Sequence, residues 1–393
     1  MSAPATPASA PNDFLRSLRF LASLRLTVVC LGFGMILIFL GTLAQVRLGI
    51  LNVQARYFQS LFVLWTPEGS SWHIPILPGG YLLGGVLLVN LIAAHATRFE
   101  VSRKKIGIFL LHLGVILLLV GQLLTGLYAR ETQMRIDEGQ TLGYAEAPRE
   151  VELAVIDVTD PQYDQVVAIP EGALARGGTI QNPTLPFTIK IKNFLPNARL
   201  TMRAQDPSAP ASLATTGFGA NVVATEIPRT VRDDERDLTS AFVEINGVQG
   251  SLGTWLVSNA IAQPQNFTVN DHTFALVMRQ RRFYKQFALT LLDFAHDRYA
   301  GTDIPKNFSS RVRLVDFERG ENREVLISMN DPLRYRGFTF YQSGFDNNDK
   351  TTILQVVKNP AMLLPYIACG LVGLGLLVQF SMHLFGFVRK QRR

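Results

Sequence analysis

Cysteine is nearly absent from these 393 residues: only Cys30 and Cys369 occur, and both sit inside apolar runs. Residues 128–358 therefore contain no disulfide framework and no CxxC redox or zinc pair. Only a packed apolar core can hold that stretch together, and its length suffices for one. Charge is also sparse, at 18% of residues. The net charge of +7 does not point to nucleic acid, because no basic stripe interleaved with aromatics is present. Lys and Arg gather instead at the ends of apolar runs, where they orient a chain in a membrane. There is no nucleophile–base pair, phosphate loop or metal-ligand cluster, so no catalytic residue is assigned.

Long apolar runs are what the sequence has. A hydrocarbon core of roughly 30 Å needs about 20 helical residues. Four runs meet that length, at about 26–46, 76–97, 106–127 and 361–383. The first is long for a cleaved signal peptide and no small-x-small site follows it, which favours an uncleaved anchor. Residues 1–25 read as a disordered and amphipathic cytoplasmic tail with Arg16, Arg19 and Arg25. Residues 47–73 carry Tyr57, Phe58, Phe62, Trp65 and Trp72, and are expected to lie as a loop along the outer surface. Arg98, Arg103, Lys104 and Lys105 fill the loop between spans two and three. Arg389, Lys390, Arg392 and Arg393 follow span four within the 359–393 segment. The positive-inside rule then puts both termini in the cytoplasm and residues 128–358 outside it.

The outer region reads as all-β. Alternation is clear in FTIKIKNF (187–194), FALTLLDF (287–294) and SRVRLVDF (310–317). EVELAVIDV, SAFVEING, TFALVMRQ, EVLISM, GFTFYQSGF and TTILQVV are further strand candidates. The expected architecture is thus four transmembrane helices with an antiparallel, sandwich-like sheet domain between spans three and four. LPFTIKIKNFLPN (185–197) and QFALTLLDFAHDRY (286–299) share a pattern that either duplication or convergence would produce.

Two of the six histidines lie in spans. His112 is seven residues beyond Lys105, roughly 10 Å from the inner boundary, and His95 is three residues before Arg98, roughly 4–5 Å from it. Neutral imidazole ligates iron, and haem is commonly held by axial histidine. A membrane histidine also bonds neighbouring helices, so both roles stay open at this point. Gly107, Gly114 and Gly121 recur every seven residues and offer a face for close approach of a helix or of a flat ligand.

Assembled in order, GTLAQV (41–46), KIGIFLLHLGVILLLVGQLLTG (105–126), MRIDEGQT (134–141), QFALTLLDFAHDRYAGTDIPKNFSSRVRLVD (286–316), MNDPLRYRGFTFYQS (329–343) and LQVVKNPAMLLPYIACGLVGLGLLVQF (354–380) resemble the ResB-like cytochrome c biogenesis proteins. The resemblance implies a membrane subunit of a system II cytochrome c synthase. Such a subunit works with a CcsA-type membrane protein, carries haem b from the cytoplasmic side to the outer face, and supports its attachment to apocytochrome c. It also implies that His112 falls on the span-three histidine that holds haem in this family; no such role carries to His95. The partner type has a tryptophan-rich haem-handling loop, whereas Trp65, Trp72 and Trp255 are scattered here. The role implied is therefore a non-catalytic or co-catalytic subunit in the inner membrane. The alternative is a membrane-anchored sensor or assembly scaffold whose outer domain binds a protein without haem. A transporter is disfavoured, because four spans show no inverted repeat.

Overall fold

The structure, a computed structural model, describes residues 20–67, 72–98, 102, 105–205, 210–231, 235–299, 301, 305–346 and 350–392. Most of the expected N-terminal tail, with Arg16 and Arg19, lies outside the described residues, as do Arg103 and Lys104. The α-helices among the described residues are α1 (Leu24–Val53), α2 (Gly80–Arg98), α3 (Ile106–Tyr128), the short α4 (Glu171–Arg176) and α5 (Leu364–Gln391). The chain divides into two compact units, residues 1–130 with 359–393, and residues 131–358.

The first unit is helical. α1, α2, α3 and α5 are long and apolar enough to cross a membrane. Large apolar side chains such as Phe39 and Leu377 point outward and stay exposed, as lipid-facing surfaces require. α1 starts at Ser23, whose hydroxyl accepts from the Leu26 amide at 3.3 Å, an N-terminal cap. The helix breaks at Gly49, where φ is +73°, a value that glycine adopts without steric cost.

Beyond the break the structure differs from the expected surface loop. Residues 50–53 are helical again and continue into a π-helical turn, Gln54–Phe58. A hairpin follows, β1 (Phe62–Trp65) against β2 (Ile74–Pro78). Phe58 turns back onto α1, where a Cβ on Gly41 would meet its ring at 3.1 Å. Arg56 donates to the Leu64 carbonyl at 2.6 Å and ties the turn to the hairpin. Polar side chains and aromatic packing thus hold in regular structure a segment whose mixed composition resembles a loop.

α3 and α5 run antiparallel in close contact. Cβ atoms added at Gly107, Gly114 and Gly121 would meet Gln379, Ala368 with Val372, and Leu364 respectively. The seven-residue glycine stripe therefore serves helix packing, and its close approach is taken up by α5.

The second unit is antiparallel β throughout, with α4 as its α-helix among the described residues. Its strands run β3 (Arg130–Asp137), β4 (Thr141–Asp157), β5 (Gln165–Pro170), β6 (Gly178–Ile180), β7 (Thr188–Leu195), β8 (Ala198–Met202), β9 (Val222–Glu226), β10 (Ser240–Gly247) and β11 (Gly250–Ser258). They continue as β12 (Gln265–Val269), β13 (His272–Arg298), β14 (Pro305–Asp316), β15 (Glu321–Ser328), β16 (Leu333–Tyr335), β17 (Phe338–Asp346) and β18 (Thr351–Lys358).

Two lobes share two long strands. One lobe is a nearly closed sheet in the order β15-β14-β13-β4-β3-β18-β17-β16, filled by Met134, Ile136, Phe287, Leu289, Leu291, Leu314 and Phe340. The other packs the first half of β13, with β12, β4 and β5, over the sheet β11-β10-β7-β6. Its core holds Leu153, Val155, Ile189, Val243, Ile245, Trp255 and Leu276. A smaller cluster with Leu195, Val222 and Leu256 lies under the separate hairpin β8–β9.

The candidate strands TFALVMRQ and FALTLLDF are one continuous strand, β13. The charged link between them, Arg281 and Arg282, pairs with Glu150 and Glu146 of β4 at 2.8 and 3.0 Å. β7, within 185–197, lies in the four-stranded sheet, and the second half of β13, within 286–299, lies in the larger one, with different neighbours.

Candidate functional site

The buried polar groups of the helical unit gather at one end. In the antiparallel bundle, Arg25 on α1, Arg98 on α2, Lys105 before α3, and Arg389 and Lys390 on α5 all mark the same end. His112 sits six residues into α3. On a helix of about 100° per residue it lies roughly 160° round from Gly114, so it faces away from α5 and toward α1 and α2.

His112 lines a cavity of about 480 Å³. α1 contributes Leu24, Thr27 and Leu31, α2 contributes Leu87, Asn90, Leu91 and Ala94, and α3 adds Val115 and Leu119. The walls are apolar apart from His112, Asn90 and Thr27, and the size falls within the range of small-molecule sites. The His112 Nδ1 is buried without a hydrogen-bond partner among the described residues. A buried polar atom left bare in this way is costly, and a histidine in a cavity wall is a natural ligand contact.

His95 stands beside it. The two rings meet edge to face with centroids 4.9 Å apart and an interplanar angle of 82°. The His95 Nδ1 lies 2.9 Å from the Leu91 carbonyl oxygen. A carbonyl only accepts, so Nδ1 is the donor in this contact. The structure thus brings the two sequence candidates into direct contact.

Asn90 went unremarked in the sequence reading. It is 4% exposed, accepts from the Thr27 hydroxyl at 2.7 Å, and donates to the carbonyls of Leu21 and Ser23 at 2.5 and 3.1 Å. It clamps the start of α1 against α2 and so shapes one wall of the cavity. An asparagine inside an apolar run was the available signal. The other histidines are engaged elsewhere. His73 bonds Thr66 at 2.8 Å, His383 bonds Gln379 at 2.8 Å, His272 pairs with Asp157 at 2.8 Å, and the His296 ring packs on Phe345 at 4.3 Å. No cluster of three or more metal-ligating side chains occurs among the described residues.

The β unit carries a second concentration of polar contacts, at the turn between β16 and β17. Arg336 and Gly337 both have positive φ, +46° and +77°, the pattern of a type I′ hairpin. Asp316, fully buried, accepts from the Tyr335 hydroxyl at 2.8 Å and from one Arg336 Nη at 3.1 Å, and lies 2.7 Å from Arg336 Nε as an ion pair. Burial pushes the Asp316 carboxyl up. The Tyr335 hydroxyl, the Arg319 amide and the Arg336 charge outweigh that and hold it below the ordinary carboxylate range. These groups bind one another rather than an open site, which marks a structural lock.

The model of the ResB-like family matches residues 245–353, from the end of β10 into β18, and this turn lies within the match. Over that stretch the chain is similar to the ResB-like family. Protein NrfI of Wolinella succinogenes is similar as well, 25% identical over 294 residues that make up 75% of this chain and 29% of that protein. The match thus spans about 29% of the length of this relative. The family match lies wholly outside the histidine cavity.

Proposed function

We propose that this ResB-like chain is a subunit of the cytochrome c maturation machinery, and that its helical unit holds haem b as cargo in the cavity between α1, α2 and α3. The observation that carries this reading is His112: its buried, unpartnered nitrogen lines an apolar cavity at the lysine- and arginine-rich end of the bundle. By the positive-inside rule that end is cytoplasmic. Both termini then lie in the cytoplasm of an inner membrane, and the β unit on the outer side, where the haem is joined to apocytochrome c with a CcsA-type partner. The donor set fits the cargo: apolar walls suit the macrocycle and an imidazole suits its iron.

His112 is the ligand in this reading and His95 its neighbour. Metal–imidazole bonds of about 2 Å would put the centres of two rings on opposite sides of one iron roughly 6 Å apart. The observed 4.9 Å is too short for that. His112 would then hold the iron, and His95 would buttress the His112 ring from the side.

The test is the visible spectrum and cytochrome c yield of the chain co-expressed with its partner. His112→Ala is expected to lose most of the haem absorbance and yield, while His95→Ala keeps part of both. Unchanged haem content and yield in His112→Ala would sink the assignment. Copurification with the partner but no haem absorbance in any sample would favour the haem-free scaffold or sensor.

A further inference from the structure

A cavity in the β unit has no assigned role. It measures about 850 Å³ and opens between residues 199–202 of β8 and residues 260–266, the segment leading into β12. Leu200, Met202, Phe218, Ile261 and the indole of Trp255 give it an apolar lining. Met202 and Phe218 are 41% and 50% exposed, so the lining opens to solvent.

Two features specify what it binds. The first is backbone. Among the described residues β8 pairs only with β9, and β12 only with β13. Ala198 at the start of β8 gives its amide to the Leu238 carbonyl at 2.9 Å, so the edge left without a partner strand beside the cavity is that of residues 199–202, and such an edge is a template for one more strand. The second is Gln265. Its amide nitrogen donates to the Leu256 carbonyl at 2.6 Å, while its buried Oε1 has no partner among the described residues. Oε1 sits beside Gly217, where a Cβ would come within 2.5 Å of it. A bare buried acceptor calls for an N–H or O–H from the occupant.

We propose that this cavity takes an extended, apolar stretch of unfolded polypeptide, added along β8, with an N–H donated to Gln265 Oε1. An alkyl chain has no proton to donate. A haem would find no histidine or cysteine among the lining residues, only the thioether of Met202. The source of the polypeptide rests on the proposed function: a cytochrome chain before haem attachment is unfolded and exposes such stretches.

The test uses the full chain in nanodiscs with Trp65→Phe and Trp72→Phe, which leaves Trp255 as the sole tryptophan. The probe is a synthetic peptide spanning the CxxCH segment of an apocytochrome c, with serine for cysteine and a photo-crosslinker at one end. Saturable change in Trp255 emission and crosslinks to residues 199–202 or 260–266 are expected. Met202→Glu and Ala262→Phe, both at exposed lining positions, are expected to weaken binding about tenfold or more without moving the melting curve. Equal binding by these variants overturns the proposal. So does a response to haemin or decanoate with none to the peptide, and so does absence of both emission change and crosslink. The haem spectrum of the same preparations separates the two claims: peptide binding without His112-dependent haem leaves the groove standing and removes the haem reading, and the converse result does the opposite.

Discussion

Gly375 on α5 offers a sharp test of how the helical unit is held. A Cβ added there would stand 2.8 Å from the Gly107 carbonyl oxygen and 2.8 Å from the Leu111 amide nitrogen. Gly373, two residues earlier on the same helix, has nothing within 4 Å of the same built atom. Alanine at either position gains helix propensity of about 0.8–1.0 kcal/mol. At Gly373 nothing opposes that gain. At Gly375 the obstructing atoms are backbone and cannot rotate aside, so the helices must part by roughly half an ångström or more to restore van der Waals separation. Overpacking of this kind costs about 1–3 kcal/mol. Gly373→Ala should therefore be neutral or stabilising, and Gly375→Ala should fall below it by about 1–3 kcal/mol. Gly114→Ala should behave like Gly375→Ala, since its Cβ would lie 2.8 Å from the Ala368 carbonyl oxygen. Denaturant titration in mixed micelles, followed by helical circular dichroism, measures the difference. A Gly375→Ala protein as stable as the Gly373→Ala protein would refute the close α3–α5 packing.

In the β unit, Glu152 and Arg279 form a pair at 3.0 Å with side chains 6% and 11% exposed. Arg279→Met leaves the carboxylate without its partner and is expected to cost about 3–5 kcal/mol. Adding Glu152→Leu should recover most of that loss, and thermal unfolding of both variants checks the order. Asp316 predicts an acid limb. Its carboxyl is held below its ordinary value in the folded chain, so the unfolded chain takes up a proton first as pH falls. The stability it contributes is complete above the unfolded value, about 3.9, and is lost as pH drops through the lower folded value. Asp316→Asn should lower stability at neutral pH and flatten its decline below about pH 4, and a series of melts across that range decides it.

The four spans were legible because lipid imposes a local requirement, about 20 apolar residues with no backbone group left unpaired. The β character of 128–358 was legible for a similar reason: alternation is written residue by residue, and Phe287, Leu289 and Leu291 do point into one core. Other features depended on which surfaces meet. Nothing in TFALVMRQ or FALTLLDF shows that they form one strand; the pairing of Arg281 and Arg282 with glutamates more than 100 positions earlier in the chain makes it so. The glycine stripe was equally compatible with a ligand or a helix until α5, about 240 residues on, occupied it. His95 and His112 were readable as two membrane histidines at similar depth, but their ring contact depends on how α2 and α3 are rotated toward each other. Asn90 gains its meaning only from the carbonyls at the start of α1. Local composition decided which segments are long and apolar enough to cross a membrane and which form strands. Tertiary packing decided which polar atoms were left bare beside a cavity, because that depends on every neighbour the folded chain supplies.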